Sequence, residues 1–224
     1  MMINAASEDF CMTFSIVARD PRTGAFGVAT ATAGPMVGAL VPHTRKGYGA
    51  AATQAMTNPY LAIDALELLD SQPADVALQA ALGRDNDAEL RQIIVIDRNG
   101  LAEGWTGSQC TGYAGHLVDD GVAVAGNMLT GENVLDAMMA QYRLHLVDSS
   151  FASALIKSLW AGAAAGGDKR GLGSAALRIH GTQAFPDVDL RVDQSECPML
   201  ALDDLMSRAL AGPYSEFFST VPRR

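Results

Sequence analysis

The stretch EDFCMTFSIVARDPRTGAFGVATAT, residues 8–32, carries two strands and the turn between them. Thr13 to Arg19 is apolar and β-prone. Asp20-Pro21-Arg22-Thr23-Gly24 has turn chemistry. Ala25 to Thr32 is apolar again, with Phe26, Val28 and Ala31 among its members, so the segment predicts a β-hairpin. Met12-Thr13 is also a credible initiation site. Thr13 is therefore a candidate chain terminus at the start of a strand.

Working outward, Val37 to Val41 is apolar and ends at Pro42, and Gly49 to Gln54 is a strand candidate of small residues, which suit close approach of a neighbouring backbone or ligand. Two helices are expected over 59–70 and 74–82. Strands follow over 91–97, 101–106 and 121–128. Val134, Met138 and Tyr142 share one helical face, and Phe151, Leu155 and Leu159 repeat at helical spacing behind a Ser149 or Ser150 cap. Strands over 174–180 and 189–193 and a helix over 198–210 complete the chain. The order of strands, two helices, strands, two helices, strands and helix predicts an α+β fold with antiparallel sheets covered by helices on both outer sides.

The 224 residues are 49% hydrophobic and 18% charged, with a formal net charge of -9. That supplies a sizeable core and argues against disorder and nucleic-acid binding. Cys11, Cys110 and Cys197 are few and scattered, and neither a signal peptide nor a membrane-spanning run is apparent. The expectation is a cytoplasmic protein with no membrane partner. The four histidines, at 43, 116, 145 and 180, lack metal-ligand spacing, and no metal or other cofactor is expected.

Three polar clusters carry candidate chemistry. Thr53-Gln54-Ala55-Met56-Thr57-Asn58-Pro59 joins a strand to a helix, which Asn58 alone would cap. Gly126-Asn127-Met128 ends a strand in an amide, an oxyanion donor or the completion of a turn. Gly166-Gly167-Asp168-Lys169-Arg170-Gly171 sets an acid and two bases among glycines. Thr13 is a poor nucleophile in mid-chain. As a terminus it would carry its own base, because an α-amine titrates near pH 7.7–8.0 and can take the hydroxyl proton.

The ordered blocks MTFSIVARDPRTGAFGVA, TQAMTNP, TGSQC, GNML and AAGGDKRGLGSAAL, between Met12 and about Asp193, resemble an uncharacterised, mainly prokaryotic family of unknown function. That family is grouped with the N-terminal nucleophile (Ntn) hydrolases. The resemblance implies a four-layer αββα sandwich and hydrolysis of a small amide or peptide-like substrate. It implies Thr13 as nucleophile and base, and Lys46, or the equally placed Arg45, as the charge that tunes it. Asn127 would stand at the oxyanion, and Asp168 with Ser174 would hold the amine. Thr53, Gln54, Asn58 and Lys169 would line the cleft. Proteasome-like relatives carry an acid on the second strand, where this sequence has Thr30 or Thr32.

The expected organisation is an extension or propeptide over 1–12, one domain over 13–212 and a tail over 213–224. Broad apolar helix faces suggest a homo-oligomer. While residues precede Thr13 its nitrogen is an amide, so activity requires its exposure. Two alternatives stand beside the enzyme: a non-catalytic binding or assembly protein on the same fold, and unrelated chemistry in which Asp168, Lys169 and Arg170 grip an anionic substrate.

Overall fold

A computed structural model describes residues 13–167 and 171–224. The opening hairpin forms as expected: β1 (Thr13–Arg19) pairs antiparallel with β2 (Phe26–Thr32). After β2 come a one-turn helix α1 (Val37–Leu40), β3 (Pro42–Arg45) and β4 (Gly49–Ala55). Helices α2 (Pro59–Leu68) and α3 (Ala74–Leu82) follow, then β5 (Arg91–Asp97) and β6 (Ala102–Thr106). The chain continues with β7 (Tyr113–Asp119), β8 (Val122–Leu129), α4 (Asn133–Asp148) and α5 (Phe151–Ala164). It closes with β9 (Ser174–His180), β10 (Val188–Val192), α6 (Pro198–Leu210) and α7 (Gly212–Ser219).

The strands form two antiparallel sheets, ordered β10-β9-β2-β1-β8-β7 and β3-β4-β5-β6. The period-two alternation of β1 shows why they stack. Phe14, Ile16 and Ala18 pack with residues of α4, α5 and α6, whereas Val17 packs between the sheets with Ala50, Ala52, Ile94 and Ile96 of the facing strands. On the far side of the smaller sheet, Ala51, Ile93 and Val95 pack with residues of α2 and α3. The architecture is thus the four-layer αββα sandwich. Much of the inter-sheet layer is alanine, from Ala50, Ala52, Ala102, Ala123, Ala125 and Ala176.

Four elements escape the sequence reading, among them α1, which forms in the apolar run before Pro42. β3 hides in PHTR, and β7 has only intermediate or exposed residues and so lacks an apolar signature. The segment expected to be a tail begins with α7. Among the described residues no helix is long and apolar enough to cross a membrane.

Candidate active site

The inter-sheet layer changes character along its length. Val17, Val28, Ala52, Ile94 and Ala125 are followed on the same faces of the same strands by Ser15 and Thr13, Thr30 and Thr32, Gln54, Gln92, and Asn127. Because the strands are antiparallel, the start of β1, the end of β2, the end of β4, the start of β5 and the end of β8 converge. Seven hydroxyl and amide side chains therefore meet at one end of the sandwich, all of them buried.

Register brings the sequence-predicted residues into line there. Ser174 pairs with Thr32, Thr32 with Thr13, and Thr13 with Asn127, in one row across β9, β2, β1 and β8. Thr13 is 6% exposed. Its Oγ1 donates to Thr32 Oγ1 at 3.3 Å, and its carbonyl accepts from Gln54 Nε2 at 3.2 Å and Asn127 Nδ2 at 3.5 Å.

Two main-chain oxygens fix which way the amides point. Gln92 Nε2 donates its two hydrogens to Gly115 O and Gly126 O, both at 2.9 Å, and Thr106 Oγ1 also lies 2.9 Å from it. Carbonyls only accept, so the opposite atom of Gln92 is its oxygen. That oxygen accepts from Gln54 Nε2 at 2.7 Å and Asn127 Nδ2 at 3.1 Å. Gln54 Oε1 is then free to accept from Ser15 Oγ at 2.6 Å, and Ser15 Oγ lies 2.8 Å from Thr30 Oγ1. Asn127 Oδ1 is left buried with no donor, a state that costs about 1–3 kcal/mol. At the far side, Thr106 Oγ1 lies 2.9 Å from His116 Nδ1. Burial lowers the His116 pKa, which favours the neutral ring. His116 sits over Gly104 of the facing sheet, where a Cβ would strike its ring.

The backbone around this junction is unusual. The non-glycine residues with positive φ among those described are Met36 (61°), Ala55 (66°) and Met128 (53°). Ala55 directly follows Gln54, Met128 directly follows Asn127, and Met36 lies in the loop that leaves β2. Left-handed geometry costs a side-chain-bearing residue about 1–2 kcal/mol. Such strain concentrates where surrounding structure over-determines it, as at functional sites.

Several sequence expectations need revision. Lys46 lies exposed in the β3–β4 turn, next to the Arg45–Gly49 pair. About 16 Å of strand separates Gly49 from Gln54, so the structure does not bring Lys46 to Thr13. The alternative Arg45 is committed to the end of α2, where its Nη1 donates to Leu66 O and Glu67 O. Thr53 points to the helix side of β4 and donates to Asn58 O at 3.2 Å, out of any cleft. Asn58 caps α2 through Tyr60 N and donates to Asp85 Oδ2 at 2.7 Å. Ser174 Oγ donates to Gly34 O at 2.6 Å and accepts from Val37 N at 3.1 Å, which clamps the loop after β2 rather than leaving a hydroxyl to shuttle protons. Gln54 is in place but fully buried, a floor beneath Thr13 rather than a cleft wall. Asn127 has its donor occupied, so it cannot serve an oxyanion without breaking its bonds. Asp168 and Lys169, with Arg170, lie outside the described residues.

The sequence reading missed Gln92 and Ser15 as site residues, although each is a polar residue at the edge of an apolar run, beside IIVI and IVA. It considers His116 only as a metal ligand, and Thr106 gives no signal. Among the described residues, no three His, Cys, Asp or Glu side chains gather as metal ligands would. Cys110, half-buried nearby, donates to Arg91 O, and burial raises its thiol pKa.

A family model described as a family of unknown function, DUF1028, matches residues 13–202. The chain belongs to the DUF1028 family. The crystal structure of protein SPO2555 from Silicibacter pomeroyi, of the same family model, is 32% identical over 95% of this chain and 92% of that one, with a TM-score of 0.89. Anbu (ancestral beta-subunit) from Yersinia bercovieri is 11% identical over 94% of this chain and 99% of that one, with a TM-score of 0.40. No curated protein matches significantly. The region shared with the family begins at Thr13, the residue on which the polar junction centres.

Proposed function

We propose that this DUF1028 protein is an amidohydrolase of Ntn type, acting on a small amide or peptide-like substrate once Thr13 is the N-terminal residue. One observation carries the reading. Thr13 opens the shared family region and the strand β1, and its carbonyl is pinned by two buried carboxamides while its hydroxyl meets the polar end of the sandwich. A released α-amine there would take the Oγ1 proton as the hydroxyl attacks a substrate carbonyl, and return it to the departing amine. No Lys or Arg among the described residues bonds to Thr13, so the amine itself would set the pH range of activity, with Asp168 as its proposed partner.

A second reading, a non-catalytic ligand-binding protein on the same fold, is favoured by the occupied donor of Asn127 and the distant Lys46. The test is to start the protein at Met12, verify by intact mass that the methionine is removed, and screen amides and peptides. The full chain and Thr13→Ala serve as references. Thr13→Ala should change stability by less than about 1 kcal/mol, because only one long neutral hydrogen bond is lost. Hydrolysis by the Thr13-terminated protein alone supports the enzyme. Equal rates in the variant remove Thr13 from the mechanism, and binding without turnover favours the second reading.

We also infer self-association through the C-terminal helices, which expose Tyr214, Phe217 and Phe218 as one aromatic cluster. Sedimentation of the wild type against Phe217→Glu checks it.

A further inference from the structure

The end of the sandwich opposite Thr13 holds a cavity of about 220 Å³. Its walls include Arg19 at the end of β1, Gly100 of the β5–β6 turn, Asp120 and Gly121 of the β7–β8 turn, and Tyr142 and Leu146 of α4. The two turns are tied together there, because Gly121 N donates to Gly100 O at 3.0 Å. Six residue steps of β1 separate Arg19 from Thr13, about 20 Å of strand.

Three polar groups at this cavity have no partner among the described residues. Tyr142 is 2% exposed, and its hydroxyl is buried without a hydrogen bond. Burial raises the phenol pKa, so the group keeps its proton and has a donor to give. A buried hydroxyl is normally hydrogen-bonded, and one that is not calls for an explanation. Arg19 is half-buried, and its guanidinium makes no ion pair with a described residue. Its Nη2 lies over the β1–β2 turn, 3.5 Å from where a Cβ on Gly24 would stand. The Asp120 carboxylate lies beside Gly100, with Oδ1 3.6 Å from where a Cβ on that glycine would stand, and it too pairs with no described cation. The neighbouring charges are engaged: Arg22 Nε with Asp20 Oδ1 at 3.0 Å, and Arg143 with Asp119.

An unpaired cation, an unpaired anion and a neutral donor thus line one small space. A simple anion would meet Asp120 there, and a simple cation would meet Arg19. A zwitterion satisfies both. The volume equals that of roughly seven waters at ~30 Å³ each, and it falls below the ~300 Å³ at which pockets for drug-sized ligands begin. We propose that this cavity binds a free α-amino acid with a small apolar side chain. Arg19 and the Tyr142 hydroxyl hold its carboxylate, Asp120 its ammonium group, and Leu146 packs on its side chain. The site shares no residue with the junction around Thr13, so it stands or falls apart from the reading of Thr13 as a nucleophile.

The test titrates the full chain with L-alanine and L-valine, by calorimetry and by thermal unfolding. Propionate is alanine without its ammonium group, and isobutylamine is valine without its carboxylate. At least one amino acid should saturate a single site and bind about tenfold or more tightly than either half-compound. Arg19→Gln and Asp120→Asn should each weaken it about tenfold, and Tyr142→Phe about fivefold. Without ligand, Tyr142→Phe should unfold no lower than the wild type, because its hydroxyl has no bond to lose. That variant keeps the test decisive if a charge variant fails to fold. No saturation by either amino acid up to about 50 mM overturns the proposal. Propionate binding as tightly as alanine overturns the zwitterion, and unchanged affinity in Tyr142→Phe overturns the role of the hydroxyl.

Discussion

Asn127 turns its amide nitrogen to Gln92 Oε1, 3.1 Å away, and leaves its own oxygen without a donor. The orientation follows from the carbonyls of Gly115 and Gly126, which fix Gln92 first. A carboxylate at position 127 would face two acceptors, Gln92 Oε1 and Thr13 O, with no described cation to offset it.

Asn127→Asp is thus expected to carry a folded-state pKa raised above the unfolded value of about 3.9, since burial and acceptor neighbours disfavour the charge. The folded state then binds the proton more tightly than the unfolded one. Stability relative to wild type should be nearly unchanged below pH 4 and fall as pH rises towards the raised pKa, by about 3 kcal/mol in all. Urea unfolding at pH 4 and pH 8 reads it. A variant as stable at pH 8 as at pH 4 would contradict the network.

Asp85 gives the opposite sign. Burial alone would raise its pKa, but bonds from the Arg91 and Asn58 side chains and the Asp87 N–H hold it below the ordinary carboxylate value. Its contribution is full above the unfolded pKa and lost as pH falls through the depressed folded one. Asp85→Asn should cost about 2 kcal/mol at pH 7, with the deficit shrinking on acidification below pH 4. Arg91 also donates to Met56 O, so the same change should shift the Met56 methyl resonance.

Ala55→Gly isolates the backbone strain next to Gln54. Removing a Cβ from φ 66° should gain about 0.5–1 kcal/mol after the added freedom of the unfolded chain is counted. The same change at Ala52, buried in ordinary strand geometry, should lose stability. Chemical denaturation of the two variants side by side decides whether the strain is real.

Gly107 begins the loop that runs beside Met128, and a Cβ there would fall within the van der Waals envelope of the Glu89 backbone. Gly107→Ala should destabilise by about 2 kcal/mol and push the loop outward. The Cys110 thiol, half-buried and with its pKa raised by desolvation, should then modify faster with a thiol reagent. An unchanged modification rate would mean the loop absorbs the methyl group in place.

The layers were legible because the strands alternate apolar residues in register with the pleat, and β1 announces the hairpin outright. The candidate site was legible only in part. Thr13, Gln54 and Asn127 stood out as polar residues at strand ends, and the structure brings those three together. Lys46 did not fit, because sequence order gives no sign of which end of a hairpin faces the neighbouring sheet. Thr53 failed through parity: it is adjacent to Gln54 and so must point to the opposite face. Gln92 was invisible because one amide in an apolar strand reads as noise until two carbonyls from a distant bulge are seen to need it.

The row Ser174–Thr32–Thr13–Asn127 has one more implication. A one-residue slip of β1 would drive Phe14 and Ile16 into the hydroxyl and amide layer and turn Thr13 and Ser15 against the helices. The address of Thr13 is therefore written in the rings and branched chains that follow it, not in whatever is attached before it. Trimming the chain to that residue would convert one peptide nitrogen into an amine and leave its neighbours where they already stand.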